Sequence, residues 1–210
     1  AIIGPSGAGK SSLVGILLGW HRPAAGVVRV DGQVLAGDYL QRMRRQIAWV
    51  DPSVQLWNRS LLDNIRYGSD AGAAGVAELP IEQANLFSVL EKLPQGLQTA
   101  LGEGGGMVSG GEGQRVRLAR AMVQPDVRLV ILDEAFRGLD RRQRQELLVR
   151  VREHWKDATL LFISHDVGEA LAFERVLVIE DGQVAEDDHP QTLADQPDSR
   201  FVALLRAEEA

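Results

Sequence analysis

Cysteine is absent from the 210-residue chain, which excludes a disulfide framework, a thiolate metal site and a cysteine nucleophile. Long hydrophobic runs are missing too. No stretch approaches 18 consecutive apolar residues and no basic-then-apolar leader is present, so the chain as given does not span a bilayer as a helix. An excess of basic charge is likewise lacking. With 23 Lys and Arg against 29 Asp and Glu the net charge is −6, and duplex nucleic acid, which needs a basic face to displace phosphate counterions, is not an expected partner. There is no initiator methionine before Ala1-Ile2-Ile3, an apolar run of strand type. Three residues make a short strand, so the expectation is that its first half and whatever preceded it are missing. What remains is 45% apolar and 25% charged, the composition of an ordinary globular domain with a real core.

Along the chain, Leu13, Ile16, Leu17 and Trp20 recur at helical spacing after a glycine loop, predicting a helix from Ser11 to Trp20. Val27 to Val34 alternates around Asp31-Gly32, the pair that favours a type I′ hairpin. A short polar helix near Tyr39 to Arg45 precedes a buried strand, Ile47 to Val50, ended by Asp51-Pro52-Ser53. From Ser60 to Met122 no convincing strand is visible. Leu61 to Tyr67 and Ile81 to Leu93 read as helices flanking a Gly/Ala-rich linker at Asp70 to Gly75, and the region reads as a helical insertion. Strands return at Val127 to Leu132 and Thr159 to Ile163 with a helix from Arg141 to Trp155 between them, a βαβ rhythm. A hairpin around Asp181-Gly182 and a helical tail from Ser199 to Glu209 finish the chain.

Three motifs carry chemistry. Gly4-Pro5-Ser6-Gly7-Ala8-Gly9-Lys10-Ser11 fits G-x-x-x-x-G-K-[ST], a phosphate loop in which glycines let backbone N–H groups face phosphate oxygens and the next helix adds its positive end. In such a loop Lys10 reaches the β and γ phosphates and the Ser11 hydroxyl ligates Mg²⁺; Ser12, next along the helix, is counted with the loop among the expected nucleotide-binding residues. Leu129-Val130-Ile131-Leu132-Asp133-Glu134 is a buried strand with two carboxylates at its carboxyl end, the edge at which open α/β sheets bind ligands. Asp133 is placed to hold Mg²⁺, directly or through a water, and Glu134 to act as general base. Ser109-Gly110-Gly111 opens a helix and exposes backbone N–H groups to an anion in the same way.

The ordered set, together with Gly138-Leu139-Asp140 and Ile163-Ser164-His165-Asp166, resembles the ATP-binding cassette (ABC) ATPases over nearly the whole chain. The resemblance implies an α/β fold: a P-loop NTPase core of mixed sheet (residues 1–58 and 124–210), a small antiparallel β subdomain and an inserted helical subdomain (about 59–123), all within one nucleotide-binding domain. It implies ATP and Mg²⁺ as cofactors and a second cassette, identical or not, paired head to tail. In that pairing Ser109, Gly110 and Gly111 of one cassette grip the γ-phosphate on the other's Lys10 loop, and Asp140 lies at the seam. His165 then contacts the γ-phosphate and holds the attacking water. Asp63 to Gly68 and Leu101 to Gly106 look like the segments that face the membrane domain in exporter-type cassettes. The implied function is ATP hydrolysis powering export, at the cytoplasmic face of the inner membrane, with a transmembrane domain fused upstream.

Two positions depart from the family pattern. Counting back from Leu56-Trp57 puts Pro52 where the family has the glutamine of its glutamine loop; proline cannot ligate Mg²⁺, and Asp51 or Gln55 would have to substitute. Glu112 stands where the family prefers glutamine, adding like-charge repulsion beside a triphosphate unless it points away. The family's adenine-stacking aromatic lies upstream of the phosphate loop, before Ala1. Two competing readings follow: a degenerate cassette that binds ATP as a switch while its partner hydrolyses, and a soluble ABC ATPase. The four tryptophans are expected to pack, with Trp57 the one to touch a partner.

Overall fold

A computed structural model describes residues 1–68 and 78–209. Its elements in chain order are β1 (Ile2–Ile3), α1 (Lys10–Leu17), β2 (Arg29–Val30), β3 (Gln33–Val34), α2 (Gly37–Arg45), β4 (Ile47–Val50), α3 (Leu61–Arg66), α4 (Glu78–Gln83) and α5 (Phe87–Leu90). They continue with α6 (Gly110–Met122), β5 (Leu129–Asp133), α7 (Arg141–His154), β6 (Thr159–Ile163), β7 (Val176–Glu180), β8 (Gln183–Asp188), α8 (Pro190–Ala194) and α9 (Arg200–Glu209). Short 3-10 helices occupy Gly96–Gln98, Glu103–Gly105 and Val167–Ala172. No described helix is long and apolar enough to cross a membrane. The expected linker at Asp70 to Gly75 lies outside the described residues.

The chain forms two compact units, residues 1–45 with 161–210, and residues 46–160. In the first, β1 pairs in parallel with β6 and β7, Ile2 opposite Ile163 and Leu177, and β7 pairs antiparallel with β8. That is a mixed sheet. Its face buries Ile3, Val176 and Val178 against Val167, Ala170, Leu193 and Phe201. The separate β2–β3 pair is the small antiparallel sheet. Both hairpins turn on Asp-Gly with both residues at positive φ, Asp31 49° and Gly32 76°, Asp181 50° and Gly182 76°, as type I′ geometry requires. Glu186 ties α9 to the sheet by accepting from the N–H groups of Arg200 (2.6 Å) and Phe201 (3.0 Å) at the helix start, where a carboxylate is electrostatically favoured.

The first helix ends three residues short of the expected Trp20 because Gly19 adopts φ 70°. The Gly19 N–H donates to Ile16 O and the Trp20 N–H to Gly15 O, the paired bonds of a Schellman motif. Arg44 of α2 then donates to the freed carbonyls of Leu18 (2.7 Å) and Gly19 (3.1 Å). Trp20 is left 56% exposed. The expectation that the tryptophans pack holds for Trp155 and fails for the exposed Trp20, while Trp57, the one expected to touch a partner, is exposed as well.

In the second unit β4 and β5 run parallel, Ile47 opposite Leu129 through Val50 opposite Leu132. Every residue of β5 is buried, as a near-continuous apolar run in a parallel sheet demands. The described residues of the helical stretch expected between about 59 and 123 fall in this unit, with α3 and α4 packed on α6. The helix expected over Ile81 to Leu93 is instead two short helices, because Asn85 between them sits at φ 54° and a left-handed residue breaks the ladder. A bridge between Ser60 and Ala100 pins that region where no strand was visible in the sequence.

Candidate phosphate-binding and catalytic site

Within the first unit, β1 delivers the chain into Gly4, which at φ 148° passes so close to β7 that a Cβ there would lie 2.0 Å from the Ile179 carbonyl oxygen. Gly7 (φ 81°) and Gly9 (φ 105°) turn the loop, and the left-handed Gly9 caps α1 without any side chain. The loop is pinned from below by the Gly182 N–H, which donates to Ala8 O at 3.0 Å. Ser6 and Gly7 at the rim, and Ser11 and Ser12 at the start of α1, are exposed, while Lys10 is only 7% exposed. Lys10 Nζ donates to the carbonyls of Gly4 (2.7 Å) and Pro5 (3.0 Å). The result is a helix start with its first-turn amides and a buried ammonium on one concave backbone, and no acidic residue in the helix's first turn. That combination suits a polyphosphate.

His165 leaves the carboxyl end of β6, and Ile163 pairs with Ile2 of β1, so His165 and the phosphate loop issue from the same end of neighbouring strands. His165 is exposed. Its neighbours hold the turn: Ser164 Oγ donates to Glu169 at 2.6 Å and accepts from the Asp166 N–H at 3.1 Å.

Within the second unit, Asp133 is the last residue of β5 and is 6% exposed. Glu134 follows at φ 49°, a left-handed conformation that costs a non-glycine residue of order 1 kcal/mol and clusters at functional positions. Its carbonyl accepts from the Arg137 N–H at 3.1 Å, closing the turn. After Gly138 (φ 82°), Asp140 caps α7 by accepting from the Gln143 N–H at 2.9 Å. Ser109 and Gly110 are exposed at the start of α6. Ser109 Oγ accepts from the Glu112 N–H (3.3 Å) and Glu112 Oε2 accepts from the Ser109 N–H (2.8 Å), a capping box. Gly111 is a packing glycine as well: a Cβ there would lie 2.8 Å from Gly138 O and 2.7 Å from Leu139 Cδ2. The serine-glycine motif and the Gly138-Leu139-Asp140 turn are thus held back to back.

Val50 pairs with Leu132, so the Asp51-Pro52 turn leaves the sheet beside Asp133. Asp51 Oδ1 accepts from both the N–H and the hydroxyl of Ser53, and the Gln55 amide donates to Leu56 O at 3.0 Å. The two side chains named as substitutes for the glutamine, Asp51 and Gln55, are engaged locally.

Sequence reasoning missed the arginines of α6. Arg117 Nε donates to Val54 O (2.6 Å), and Arg120 donates to Asn64 O (2.7 Å) and Gln55 O (3.0 Å), so the helix that begins at Ser109 grips the loop that follows β4. Burial lowers the Arg117 pKa and, with Arg117 nearby, pushes Arg120 down to about 10. Arg115 donates to Asn85 O (2.8 Å) and Ser88 Oγ (3.1 Å). Their spacing along a helix with an apolar inner face was the available signal. Lys92, whose Nζ lies 2.7 Å from Glu112 Oε1, carried none.

Comparison with known proteins agrees with this geometry. The family model described as ABC transporter matches residues 1–137. The chain is 36% identical over 213 residues to an ATP-dependent lipid A-core flippase of Ralstonia nicotianae, covering all of this chain and 36% of that protein. It is 31% identical over 211 residues to the mitochondrial iron-sulfur clusters transporter ATM1 of Kluyveromyces lactis, covering all of this chain and 29% of that protein. A solved structure of a bacterial Atm1-family ABC exporter with ATP bound superposes with a TM-score of 0.92 at 31% identity, covering 100% of this chain and 36% of that one. The chain therefore spans about a third of the length of the curated relatives it matches. This chain carries, in sequence order, a phosphate loop built on left-handed glycines, a Ser-Gly-Gly helix start and a buried strand ending in Asp133-Glu134, and it belongs to the ABC transporter family, as its ATP-binding cassette.

Proposed function

We propose that this chain binds and hydrolyses ATP as the motor domain of an exporter-type ABC transporter. The observation that carries the reading is the phosphate loop itself: exposed Ser6, Gly7 and Ser11 and the buried Lys10, on a backbone turned by left-handed Gly7 and Gly9. The loop amides, the α1 N-terminus and Lys10 offset phosphate charge and fix the γ-phosphoryl group for in-line attack. Glu134 accepts the proton of the attacking water as its oxygen bonds to the γ-phosphorus and the bond to the bridging oxygen breaks, releasing ADP and phosphate. His165 orients that water and contacts the γ-phosphate. The donor chemistry on offer, the Ser11 hydroxyl and the buried Asp133 carboxylate, fits Mg²⁺, which takes one or two protein oxygens and completes its shell with phosphate and water. Mg²⁺ would supply Lewis-acid neutralisation of the phosphates there.

In the same reading Ser109, Gly110 and Gly111 receive the γ-phosphate of a second cassette, Asp140 lies at the seam, and ATP-driven pairing moves a fused membrane domain at the cytoplasmic face of the inner membrane. The two named relatives differ in cargo, lipid A-core and iron-sulfur clusters, which supports a shared motor beneath different transport paths. The test is phosphate release from ATP with and without Mg²⁺, together with nucleotide-dependent pairing. Mg²⁺-dependent release is expected, and a protein that binds no nucleotide contradicts the reading.

One observation favours a second reading, an ATP-driven switch with slow hydrolysis. Pro52 stands at the glutamine position, and Asp51 and Gln55 are bonded to their own loop. Unchanged turnover in both Asp51→Ala and Gln55→Ala would leave neither as a substitute for that glutamine.

A further inference from the structure

Glu112 sets an electrostatic problem at the start of α6. A carboxylate in a first turn favours an isolated helix, because it complements the positive end of the dipole. The same carboxylate opposes a helix start meant to receive a polyphosphate, since like charges repel through the poorly screened space of a closed interface. The structure contains an answer that no motif announces. Glu112 is folded back on its own helix, its side chain 12% exposed, with Oε2 on the Ser109 N–H at 2.8 Å and Oε1 on Lys92 Nζ at 2.7 Å.

We propose that Lys92 is a positioning residue for the phosphate-receiving face of the Ser109-Gly110-Gly111 motif: its ammonium neutralises Glu112 and holds that carboxylate turned away from the incoming γ-phosphate. This deepens the function proposed above and rests on it. Lys92 follows α5, and its backbone is fixed by its N–H donating to Val89 O at 3.1 Å with the buried Leu93 beside it. Its side chain is 69% exposed, so the pair sits at a rim where a partner cassette would close over it and raise the strength of the interaction. Arg115 also feels Glu112, but its guanidinium donates to Asn85 O and Ser88 Oγ. Lys92, by contrast, bonds the carboxylate directly. Ser109 Oγ accepts from the Glu112 N–H, which leaves its own hydrogen to be donated to a phosphate oxygen. The Lys92 contact also keeps the Glu112 carboxylate ionised far below the usual glutamate range, at about 2, so the neutralisation is a matter of pairing and not of protonation.

The experiment is a cycle on the full-length protein, reading kcat and KM for Mg-ATP in the parent, Lys92→Ala, Lys92→Arg and the Lys92→Ala, Glu112→Gln double variant. Lys92→Ala frees an uncompensated carboxylate and is expected to raise KM roughly tenfold with kcat little changed. Lys92→Arg is expected to hold the parent KM. The double variant is expected to recover it, because the charge that needed cancelling is gone. A merely structural tie between α5 and α6 is broken equally in the single and double variants, so absence of recovery overturns the proposal, as does a parent-like KM in Lys92→Ala. A parent that turns over ATP while Lys92→Ala matches it defeats this inference alone; a parent that neither binds nor hydrolyses ATP defeats both this inference and the proposed function.

Discussion

Lys10 Nζ lies 2.7 Å from the carbonyl oxygen of Gly4, the residue that opens its own loop, and 3.0 Å from that of Pro5. The ammonium therefore braces the loop from inside while remaining the charge that a β,γ-phosphate would meet. Lys10→Ala removes both services, and the expected outcome is a loss of ATP affinity or turnover of about 100-fold or more, read by nucleotide binding and phosphate release.

Gly4 is fixed by its neighbour across the sheet. A methyl group there would stand 2.0 Å from Ile179 O at a backbone φ of 148°, so Gly4→Ala forces β1 and β7 apart. A stability loss of about 2 kcal/mol or more is expected, measured as a lower denaturation midpoint. Gly7→Ala, with open space where its Cβ would be, is expected to cost less, since only its left-handed φ opposes the substitution.

Asn64 is fully buried and organises the loop around Trp57. Its Oδ1 accepts from the Trp57 N–H (2.9 Å) and Arg120 (3.1 Å), and its Nδ2 donates to Trp57 O, Arg59 O and Ser60 O. Asn64→Ala strands those groups out of water and is expected to cost about 2–4 kcal/mol. Equilibrium unfolding in urea measures it, and a change below about 0.5 kcal/mol would contradict the role.

The pH dependence of stability has a definite sign at Glu112. Its folded pKa is depressed to about 2, first by the Lys92 contact and then by the Ser109 N–H. A depressed carboxylate pKa contributes stability that is fully present above the ordinary glutamate value of about 4.3, declines below it and is gone once pH falls through about 2. The stability difference between the parent and Glu112→Gln is therefore expected to narrow as pH is lowered from about 5 to 2 in denaturant titrations.

The sequence made the mixed α/β fold legible because its signals are local: a loop that only glycines can turn, two Asp-Gly hairpins, and an apolar run ending in carboxylates. Boundaries failed where one residue's backbone outweighed periodicity, as when Gly19 stopped α1 before Trp20 and Asn85 split the helix expected to reach Leu93. The contacts of α6 were illegible for a different reason. Arg117 to Val54, Arg120 to Gln55 and Lys92 to Glu112 join residues 20 or more positions apart, and no spacing rule reports a long-range side-chain partner. Family pattern flagged Glu112 as an oddity; the lysine that answers it emerged from geometry.

Glu134 bears the central claim, since it combines a left-handed backbone at the end of β5 with the proposed role of accepting a proton from water. The direct measurement compares the parent with Glu134→Gln for phosphate release and retained nucleotide in Mg-ATP. The account predicts that Glu134→Gln binds ATP as tightly as the parent, releases phosphate at least about 100-fold more slowly and accumulates as an ATP-bound pair of cassettes. Turnover equal to the parent's would remove Glu134 from the chemistry and contradict the account.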